Sequence, residues 1–402
     1  MTEINTEELK SFAPIIPYVE KYYSNKITFT KKTNNVCFCN CIWHKEDTAS
    51  LAFFDNGTYK CFGCGEHGDV ITLVQNIENV SFQEACKIIG DNVGYQITLE
   101  PLNPAFEEYK TMLDNFNQRY ITNLSTNQIA LNYLINERKL TPETILTFKL
   151  GLTDAEEFKY RTDMGNISNR LVIPILEHKR KSPKCVGMAY RGFSDEKPKY
   201  INDKNQDGRD GMNPNLTGVF IKGNMLYGYT NAYEACKSSN FVIIVEGYFD
   251  VMSLHQAGIK NVVGIMGTSM TDVQIQEAQK LSNNFLLILD GDTAGTDAML
   301  RLMNNLYKFN INVAVSILPN GKDPDEICRK YKYDTSEITS IIKQNTIQGI
   351  EFAINHSVKQ YDNIVMRERM KAVNEIMPII NSVQNLDIRE LYKKTFYNRI
   401  GL

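Results

Sequence analysis

The sequence predicts a multidomain α/β protein, and three observations support that prediction. Five of the nine cysteines lie within residues 37–64, which is typical of a small metal-binding subdomain. From residue 241 onward, short apolar runs alternate with amphipathic helical patterns, as in a Rossmann-like parallel sheet with crossover helices. The region between them combines helical and β-prone segments with an excess of basic residues, which indicates a mixed α+β subdomain.

At 402 residues the chain is long enough for several domains. The least periodic stretch, which contains Pro101 and Pro104, is the predicted linker. The expected division is a metal-binding domain over residues 1–95, the linker over 96–112, a basic subdomain over 113–238, a parallel α/β subdomain over 239–332 and a helical C-terminal region over 333–402.

Composition places the chain among ordinary globular proteins, with 43% hydrophobic and 23% charged residues. Its apolar runs are far shorter than the ~20 residues that cross a bilayer. The first residues also lack the basic and apolar pattern of a secretion signal. We therefore expect a cytoplasmic protein with no membrane partner.

The formal net charge of −3 hides an uneven distribution along the chain. Residues 138–222 hold 16 Lys and Arg against 11 Asp and Glu, a net charge of +5. Residues 223–331 hold 8 basic against 11 acidic residues, a net charge of −3. A basic segment beside an acidic one can hold a polyanion next to a metal site, so the total charge does not exclude nucleic-acid binding.

The metal-binding domain is predicted to contain a hairpin and a helix. The β-prone residues 51–54 and 58–62 flank Asn56-Gly57, a pair that tolerates the positive φ of a tight turn. Residues 81–90 begin with a Ser cap, have Glu three positions on and end with Gly, which indicates a helix.

Two short cysteine motifs in this domain predict a zinc site. Cys41 and His44 are separated by two residues, and so are Cys61 and Cys64. Two such pairs joined by a hairpin bring four nitrogen and sulfur ligands to the corners of a tetrahedron, as in closed structural zinc sites. We therefore predict one structural Zn²⁺ in a zinc-ribbon subdomain.

The sequence leaves two questions about this subdomain open. Cys37 or Cys39 could replace Cys41 as a ligand, and His67 is a further competitor. Several aromatic residues and a lysine either form the core of the subdomain or stack against the bases of single-stranded nucleic acid. These residues are Trp43, Phe53, Phe54, Tyr59 and Lys60.

The two later subdomains are predicted from their periodicity. Helical patterning covers residues 109–136, a capping signal at Thr141 opens a second helix, and β-prone runs occupy 171–176 and 186–190. In the parallel subdomain the predicted strands are 241–246, 261–266, 285–290 and 311–318, and the predicted helices are 248–257, 271–281 and 294–309. Residues 335–402 have helical patterns without a recognisable motif.

Acidic residues follow three of the predicted parallel strands. Because the carboxyl ends of parallel strands meet at one edge of a sheet, we expect these side chains to converge. Hard oxygen ligands favour Mg²⁺ or Mn²⁺, and about two such ions would relieve the repulsion and support an in-line phosphoryl displacement. The predicted ligands are Glu246, Asp290, Asp292, Asp323 and Asp325, with Gly247, Asp250 and Gly291 in support. Glu246, Asp290 and Asp292 are the predicted catalytic residues, and Glu246 is either a metal ligand or a general base.

At these residues the chain resembles a known family. The segments FVIIVEGYFD (residues 241–250), LDGDTAGTDA (289–298) and GKDPDE (321–326) are similar to the Toprim metal centre. The segment KCFGCGEHGD (60–69), with the pair of Cys41 and His44, resembles the zinc-binding domain of DnaG-type DNA primases. The resemblance covers about residues 35–330, and the two motif sets in this order are more specific than either alone.

The resemblance extends to the basic subdomain. The stretch from Tyr133 to Leu140 resembles the family's helix-ending tyrosine–arginine motif, with Lys139 where glycine is usual. The segments NRL (169–171), RG (191–192), PKYIN (198–202), FIKG (220–223) and LYG (226–228) look like its basic polymerase motifs. In that family, such residues line the groove that holds template, primer and ribonucleoside triphosphates. The residues implied are Arg138, Arg170, Arg191, Lys199, Tyr200, Asn202 and Lys222.

The resemblance implies a DNA primase, a nucleotidyltransferase that makes short RNA primers de novo on single-stranded DNA by two-metal chemistry. The implied partners are the single-stranded template and ribonucleoside triphosphates, with a replicative helicase as a further candidate, and a monomer is expected. About 70 residues follow the Toprim region, so the chain resembles a short bacteriophage or mobile-element form, acting in the cytoplasm of a bacterium or a phage-infected host.

Two other functions are alternatives. Toprim centres also serve nucleases and topoisomerases, which cleave nucleic acid, although no large extra domain remains to hold a topoisomerase tyrosine. The second alternative is a zinc-ribbon module that binds single-stranded DNA without catalysis, which the intact set of acidic residues disfavours. The sequence contains no Gly-x-x-x-x-Gly-Lys-Ser/Thr loop, which argues against a fused helicase.

Overall fold

The computed structural model describes residues 6–33, 35–78, 80, 82–95, 104–154, 167–179, 182–194, 196–206, 216–267, 269–288, 293–361, 365–383 and 385–402. The chain forms two compact units. The first comprises Met1–Phe106, Lys179–Ser182 and Lys237–Asn240, and the second comprises Glu107–His178, Pro183–Cys236 and Phe241–Leu402. Among the described residues, no helix is both long enough and apolar enough to cross a membrane.

The first unit is built on a five-stranded antiparallel sheet with strands in chain order. The predicted hairpin is confirmed, with Gly57 at φ +86° in its turn. Leu51, Phe53 and Tyr59 are buried beneath the helices, and these residues anchor the core. The elements are α1 (Thr6–Phe12), α2 (Ile15–Tyr22), β1 (Lys31–Lys32), β2 (Val36–Cys39), β3 (Leu51–Phe54), β4 (Thr58–Cys61), β5 (His67–Asp69), α3 (Val70–Glu78) and α4 (Phe82–Val93).

The second unit begins with helices and a four-stranded antiparallel sheet, in the order β6-β7-β8-β9. Its helices are α5 (Pro104–Thr126), α6 (Gln128–Asn132) and α7 (Pro142–Thr147), and its strands are β6 (Gly151–Leu152), β7 (Leu171–Leu176), β8 (Cys185–Arg191) and β9 (Tyr200–Asn202). The helical pattern predicted over 109–136 is present, but it is divided among several elements. Asn127 ends α5 by capping α6, and a π-helical turn covers Tyr133–Glu137.

The start of α5 also differs from the expected linker over 96–112. The helix begins at Pro104, because proline has a suitable φ for the first turn and lacks the N–H that would have no partner there. Residues 96–103 lie outside the described part of the chain. The predicted domain boundaries remain a prediction.

The second sheet of this unit has the order β11-β10-β12-β13-β14. Its first four strands are parallel, as predicted, and all four residues of β10 are buried. The elements are α8 (Tyr229–Ser239), β10 (Val242–Val245), α9 (Tyr248–Gln256), β11 (Val262–Gly264), α10 (Asp272–Gln279), β12 (Asn284–Leu287), α11 (Thr293–Lys308), β13 (Asn312–Ser316) and α12 (Pro324–Lys330).

The C-terminal region is helical, as expected, with one exception. Strand β14 (Thr346–Gln348) pairs antiparallel with β13 and extends the sheet. A three-residue strand between helices carries too few residues to show a period-2 pattern, which is why the sequence did not reveal it. The helices are α13 (Thr335–Gln344), α14 (Gly349–Gln360), α15 (Met366–Ser382) and α16 (Leu386–Ile400).

Candidate zinc site and active site

The four predicted zinc ligands converge in the first unit. One ligand atom from each of Cys41, His44, Cys61 and Cys64 lies within 4.8 Å of the other three. The Sγ atoms of Cys41 and Cys64 are 3.8 Å apart, and His44 Nδ1 is 3.8 Å from Cys61 Sγ. Three thiols and one imidazole are a ligand set typical of structural zinc sites, and the structure brings the four predicted ligands together.

Glu46 contacts the His44 imidazole on the ring nitrogen that faces away from the thiols. His44 Nε2 is 3.1 Å from a Glu46 carboxylate oxygen, while Nδ1 faces the thiols. Glu46 also accepts hydrogen bonds from the backbone N–H groups of Cys41, at 2.6 Å, and Ser50, at 3.0 Å. Such a carboxylate fixes the orientation of a metal-binding histidine. Glu46 was not predicted from the sequence, although it lies two residues after the predicted ligand His44.

The second pair of zinc ligands, Cys61 and Cys64, together with the residues between them, forms a short turn that we call the second zinc knuckle, and its geometry also favours metal binding. The Cys64 N–H lies 3.4 Å from Cys61 Sγ, and a hydrogen bond from Cys41 lowers the pKa of the Cys64 thiol. Gly63 is required by space, because an added Cβ would lie 2.4 Å from His44 Nε2. The knuckle therefore leaves no room for a larger residue beside the imidazole.

The competing ligands lie elsewhere. Cys37 and Cys39 are buried in β2, and the Cys39 thiol faces the Leu51 carbonyl at 3.8 Å. His67 is exposed, and its Nδ1 lies 2.9 Å from the Gly65 carbonyl oxygen. Of the three cysteines that the sequence left as candidates, Cys41 is the one grouped with His44, Cys61 and Cys64.

The aromatic residues near the zinc site divide between core and surface. Phe53 and Tyr59 are buried, and Trp43 stacks on Tyr59 with 5.6 Å between ring centroids. Lys60 points to the other face of β4, where its Nζ lies 5.6 Å from the ring centroid of Phe62. Phe62, which is 61% exposed, was not among the aromatic residues considered from sequence.

The candidate active site lies in the second unit, at the carboxyl ends of parallel strands. Glu246 follows β10 directly, and Asp323 caps α12 by accepting a hydrogen bond of 2.7 Å from the Glu326 N–H. Asp250 accepts from the Gly247 N–H at 2.9 Å and from the Asp325 N–H at 3.3 Å. The predicted residues Asp290, Gly291 and Asp292 lie outside the described residues.

Several carboxyl groups lie close together at this edge of the parallel sheet. Burial raises the pKa of Asp250 to about 7, and the charge of Asp323 adds to the shift. Burial also raises the pKa of Asp323, with Asp325 and Glu326 contributing. Carboxyl groups crowded in this way have the hard oxygen donors that divalent cations bind.

The Asp325 carboxylate forms ion pairs with two arginines and is buried from solvent. Its side chain is 2% exposed, and its Oδ2 lies 2.7 Å from Arg138 Nη2 and 3.1 Å from Arg329 Nε. Its Oδ1 accepts a hydrogen bond of 2.6 Å from the Ser253 hydroxyl. In the structure Asp325 is therefore an ion-pair partner of two arginines. Its role as a metal ligand remains a prediction. Neither Ser253 nor Arg329 was predicted from the sequence as part of the site.

The basic residues surround the same edge. The buried Arg191 donates to the Tyr133 hydroxyl oxygen from Nε at 3.1 Å and Nη2 at 3.0 Å, and from Nη1 to the Tyr200 hydroxyl oxygen. Lys199 is exposed, and the nearby charges of Arg191 and Arg138 lower its pKa. The structure thus brings together three of the basic residues predicted from sequence.

The remaining predicted residues occupy different surroundings. Arg170 is buried and donates to the Pro198 carbonyl oxygen at 2.7 Å, beside Lys199 in the chain. Asn202 Oδ1 accepts a hydrogen bond of 2.9 Å from the Tyr248 hydroxyl. Lys222 is half-buried in a short 3-10 turn, where burial lowers its pKa.

Two protein families match separate parts of the chain. The family described as CHC2 zinc finger matches residues 2–103, and the family described as Toprim-like matches residues 243–328. The first match contains the four zinc ligands, and the second contains Glu246, Asp250 and Asp323. The matched segments are therefore those that hold the two candidate sites.

Curated relatives match most of the chain. The DNA primase of Clostridium acetobutylicum is 30% identical over 397 residues, which cover 90% of this chain and 63% of the relative. The DNA primase of Rickettsia bellii is 30% identical over 410 residues, covering 93% and 65% of the two chains. The chain thus spans less than two thirds of the length of these relatives.

Solved structures agree with these matches. The zinc-binding and RNA polymerase domains of the Aquifex aeolicus primase match with a TM-score of 0.60 and 26% identity, covering 100% of this chain and 98% of that one. A DnaG primase catalytic domain bound to single-stranded DNA matches with a TM-score of 0.60 and 25% identity, covering 74% of this chain and 98% of that one. These matches show that the chain is similar, over most of its length, to the zinc-binding and RNA polymerase domains of DnaG-type primases.

Proposed function

We propose that this chain is a DNA primase that makes short RNA primers de novo from ribonucleoside triphosphates on single-stranded DNA. The acidic residues at the carboxyl ends of the parallel strands, Glu246, Asp250, Asp323 and Asp325, form what we call the carboxylate edge. The observation that carries the proposal is the 2.7 Å ion pair between Arg138 and Asp325, which joins the basic residues to this edge. Nucleotidyl transfer needs cations for the triphosphate and carboxylates for metal ions within one site. Both kinds of group meet here.

The carboxylate edge is suited to Mg²⁺ or Mn²⁺. Glu246 and Asp323 offer hard oxygen donors, and we propose Asp290 and Asp292 as further ligands, for about two ions in total. Such ions neutralise phosphate charge and favour ionisation of the attacking 3′-hydroxyl. Glu246 is a ligand or a general base for the same hydroxyl.

The chain's own residues bind and orient the substrates. Lys199, which is exposed, and Arg191, fixed by two tyrosine hydroxyls, would bind the triphosphate. Asn202, held by Tyr248, would hydrogen-bond a sugar or base. Asp250 anchors the Gly247 turn that carries Glu246.

The zinc ribbon offers a surface for the single-stranded template. Phe38, Ala52, Lys60 and His67 are register partners on neighbouring strands, so their side chains share one face of the sheet. Phe62 follows on that face and is largely exposed. Aromatic rings interleaved with basic groups bind single-stranded nucleic acid by stacking and charge. A replicative helicase partner, a monomeric state and a phage or mobile-element origin remain predictions.

The proposal is tested by a primer-synthesis assay on single-stranded DNA templates of varied sequence, with labelled ribonucleotides and Mg²⁺. We expect short RNA products that require template, Mg²⁺ and all four ribonucleotides. Shortened DNA without RNA products would instead indicate a nuclease. Tight template binding without incorporation would indicate a non-catalytic binding module.

A further inference from the structure

Phe249 is a buried aromatic residue of α9 that carries two cations against its ring. It lies three residues after Glu246 and is 4% exposed. The Cζ atom of Arg138 is 4.1 Å from its ring centroid, and the Cζ atom of Arg191 is 4.6 Å away. Both distances are within the ~6 Å over which the negative face of a ring attracts a guanidinium.

The two arginines approach the ring from different parts of the fold. Arg138 follows the π-helical turn Tyr133–Glu137, and Arg191 ends β8. Their polar partners also differ, because Arg138 pairs with Asp325 whereas Arg191 contacts two tyrosine hydroxyls. The Phe249 ring is a contact that both guanidiniums share.

Both guanidiniums are positively charged and share one ring, so the repulsion between them must be offset. The Asp325 carboxylate neutralises Arg138, and its Oδ2 also contacts Arg329. Arg191 has no carboxylate within ion-pair distance among the described residues, so the electron-rich rings of Phe249 and Tyr200 face its charge instead. The Phe249 ring therefore offsets part of the repulsion between the Arg138 and Arg191 guanidiniums.

We propose that Phe249 is a positioning residue for triphosphate binding, an inference that rests on the proposed function. Its ring holds Arg138 and Arg191 at a fixed place beside the turn that carries Glu246. A guanidinium has five N–H donors, and the polar contacts of Arg191 described above use three of them. Donors therefore remain for a phosphate that reaches the carboxylate edge.

Simple core packing is the competing explanation for a buried phenylalanine. The two explanations differ in what they require of the ring, since packing depends on its volume whereas cation attraction depends on its electron density. Fluorination withdraws electron density from the face of the ring and changes its shape little. A series of phenylalanines with one, two and three fluorine atoms therefore separates the two roles.

The experiment places this series at position 249 in the full chain. We would measure KM for ATP and kcat in primer synthesis, and the dissociation constant of inorganic tripolyphosphate by calorimetry. We expect KM and the tripolyphosphate constant to rise with each fluorine, by about tenfold at three, while kcat and the melting temperature change little. The same series at Phe352, which is also buried and lies in α14, is the matched control and should leave both constants unchanged.

The proposal would be overturned if KM and the tripolyphosphate dissociation constant did not change across the series at position 249. It would also be overturned if both rose equally in the series at position 352. This failure can be told apart from failure of the proposed function. If the unsubstituted chain makes no RNA, the primase proposal is contradicted, whereas the tripolyphosphate titration still reports on Phe249. Phe249→Leu, which removes the ring, should weaken tripolyphosphate binding at least as much as the trifluoro residue.

Discussion

Asp323 has two roles that a single substitution can separate. Its carboxylate caps α12, and it is also a proposed metal ligand. Asp323→Asn keeps an oxygen that can accept from the Glu326 N–H but removes the charge. We expect the rate of primer synthesis to fall by at least about a hundredfold, with zinc content and melting temperature unchanged.

Asp334 provides the matched control for this substitution. It caps α13 through a hydrogen bond of 2.9 Å from the Glu337 N–H, so Asp334→Asn makes the same chemical change at another helix start. Synthesis should continue at the normal rate in this variant. Equal rates in the two variants would argue against a metal role for Asp323.

His255 gives the second unit a dependence on pH. Burial lowers its pKa from 6.5 to about 4, and its Nε2 donates to the Val262 carbonyl oxygen at 3.1 Å. Because the unfolded state binds the proton more tightly, stability is fully present above pH 6.5 and falls as the pH drops toward 4. From pH 7 to 5 the free energy of unfolding should fall by about 2 kcal/mol on account of this residue.

Urea unfolding of wild type and His255→Gln at the two pH values measures this contribution. The variant has no imidazole to protonate, so its stability should fall less over the same range. His356→Gln, at a half-buried histidine stacked on Phe352, is the control and should retain the wild-type dependence. A slope that His255→Gln leaves unchanged would contradict the assignment.

At this scale, the sequence predicts residues whose partners are close in the chain. The zinc ligands follow from two short spacings, because a knuckle fixes both of its ligands locally. The ion pair of Arg138 with Asp325 and the ring contacts of Phe249 join residues from distant elements, and no local pattern encodes them. Residues 290–292 remain predictions at this scale, since they lie outside the described residues.

The second zinc knuckle, Cys61–Cys64, requires glycine at position 63 for the His44 imidazole to keep its place. An alanine at position 63 would place its Cβ 2.4 Å from His44 Nε2, so the imidazole would have to move. We expect Gly63→Ala to weaken zinc binding by about ten- to a hundredfold. Competition with a chromophoric chelator measures the zinc affinity directly.

Gly57→Ala is the control for this substitution. Gly57 is also in the ribbon, at φ +86°, but no atom lies within 4 Å of its added Cβ. The change strains the hairpin turn without touching a zinc ligand, so zinc affinity should stay close to that of wild type. If both variants lost zinc equally, general destabilisation of the ribbon would explain the result.

The elements themselves differ in how well the sequence predicts them. The sequence predicts all four strands from β10 to β13, because each contains a run of buried apolar residues. β10 and β11 are buried along their whole length, whereas β13 begins with the exposed Asn312. The break between α5 and α6 was missed because Asn127, a good helix cap, sits inside an otherwise helical pattern. Short elements such as β6 and β9 depend on tertiary pairing rather than on local preference.

Across the whole molecule, the order of motifs carries more information than any one of them. A zinc ribbon alone or a set of carboxylates alone is compatible with several functions, whereas both in one chain, in this order and with basic residues between them, resemble a DnaG-type primase. The net charge of −3 hides this arrangement, because the basic and acidic segments cancel in the total. The contacts that join these segments could be obtained only from the fold.

The central claim is that acidic side chains from separate strands form one site for divalent cations. Titration of the whole chain with Mn²⁺, followed by electron paramagnetic resonance of the free ion, tests it without requiring turnover. We expect about two bound ions per chain, competed by Mg²⁺, and a loss of bound Mn²⁺ in Asp323→Asn but not in Asp334→Asn. Absence of Mn²⁺ binding by the wild-type chain, or equal binding by Asp323→Asn, would contradict the account.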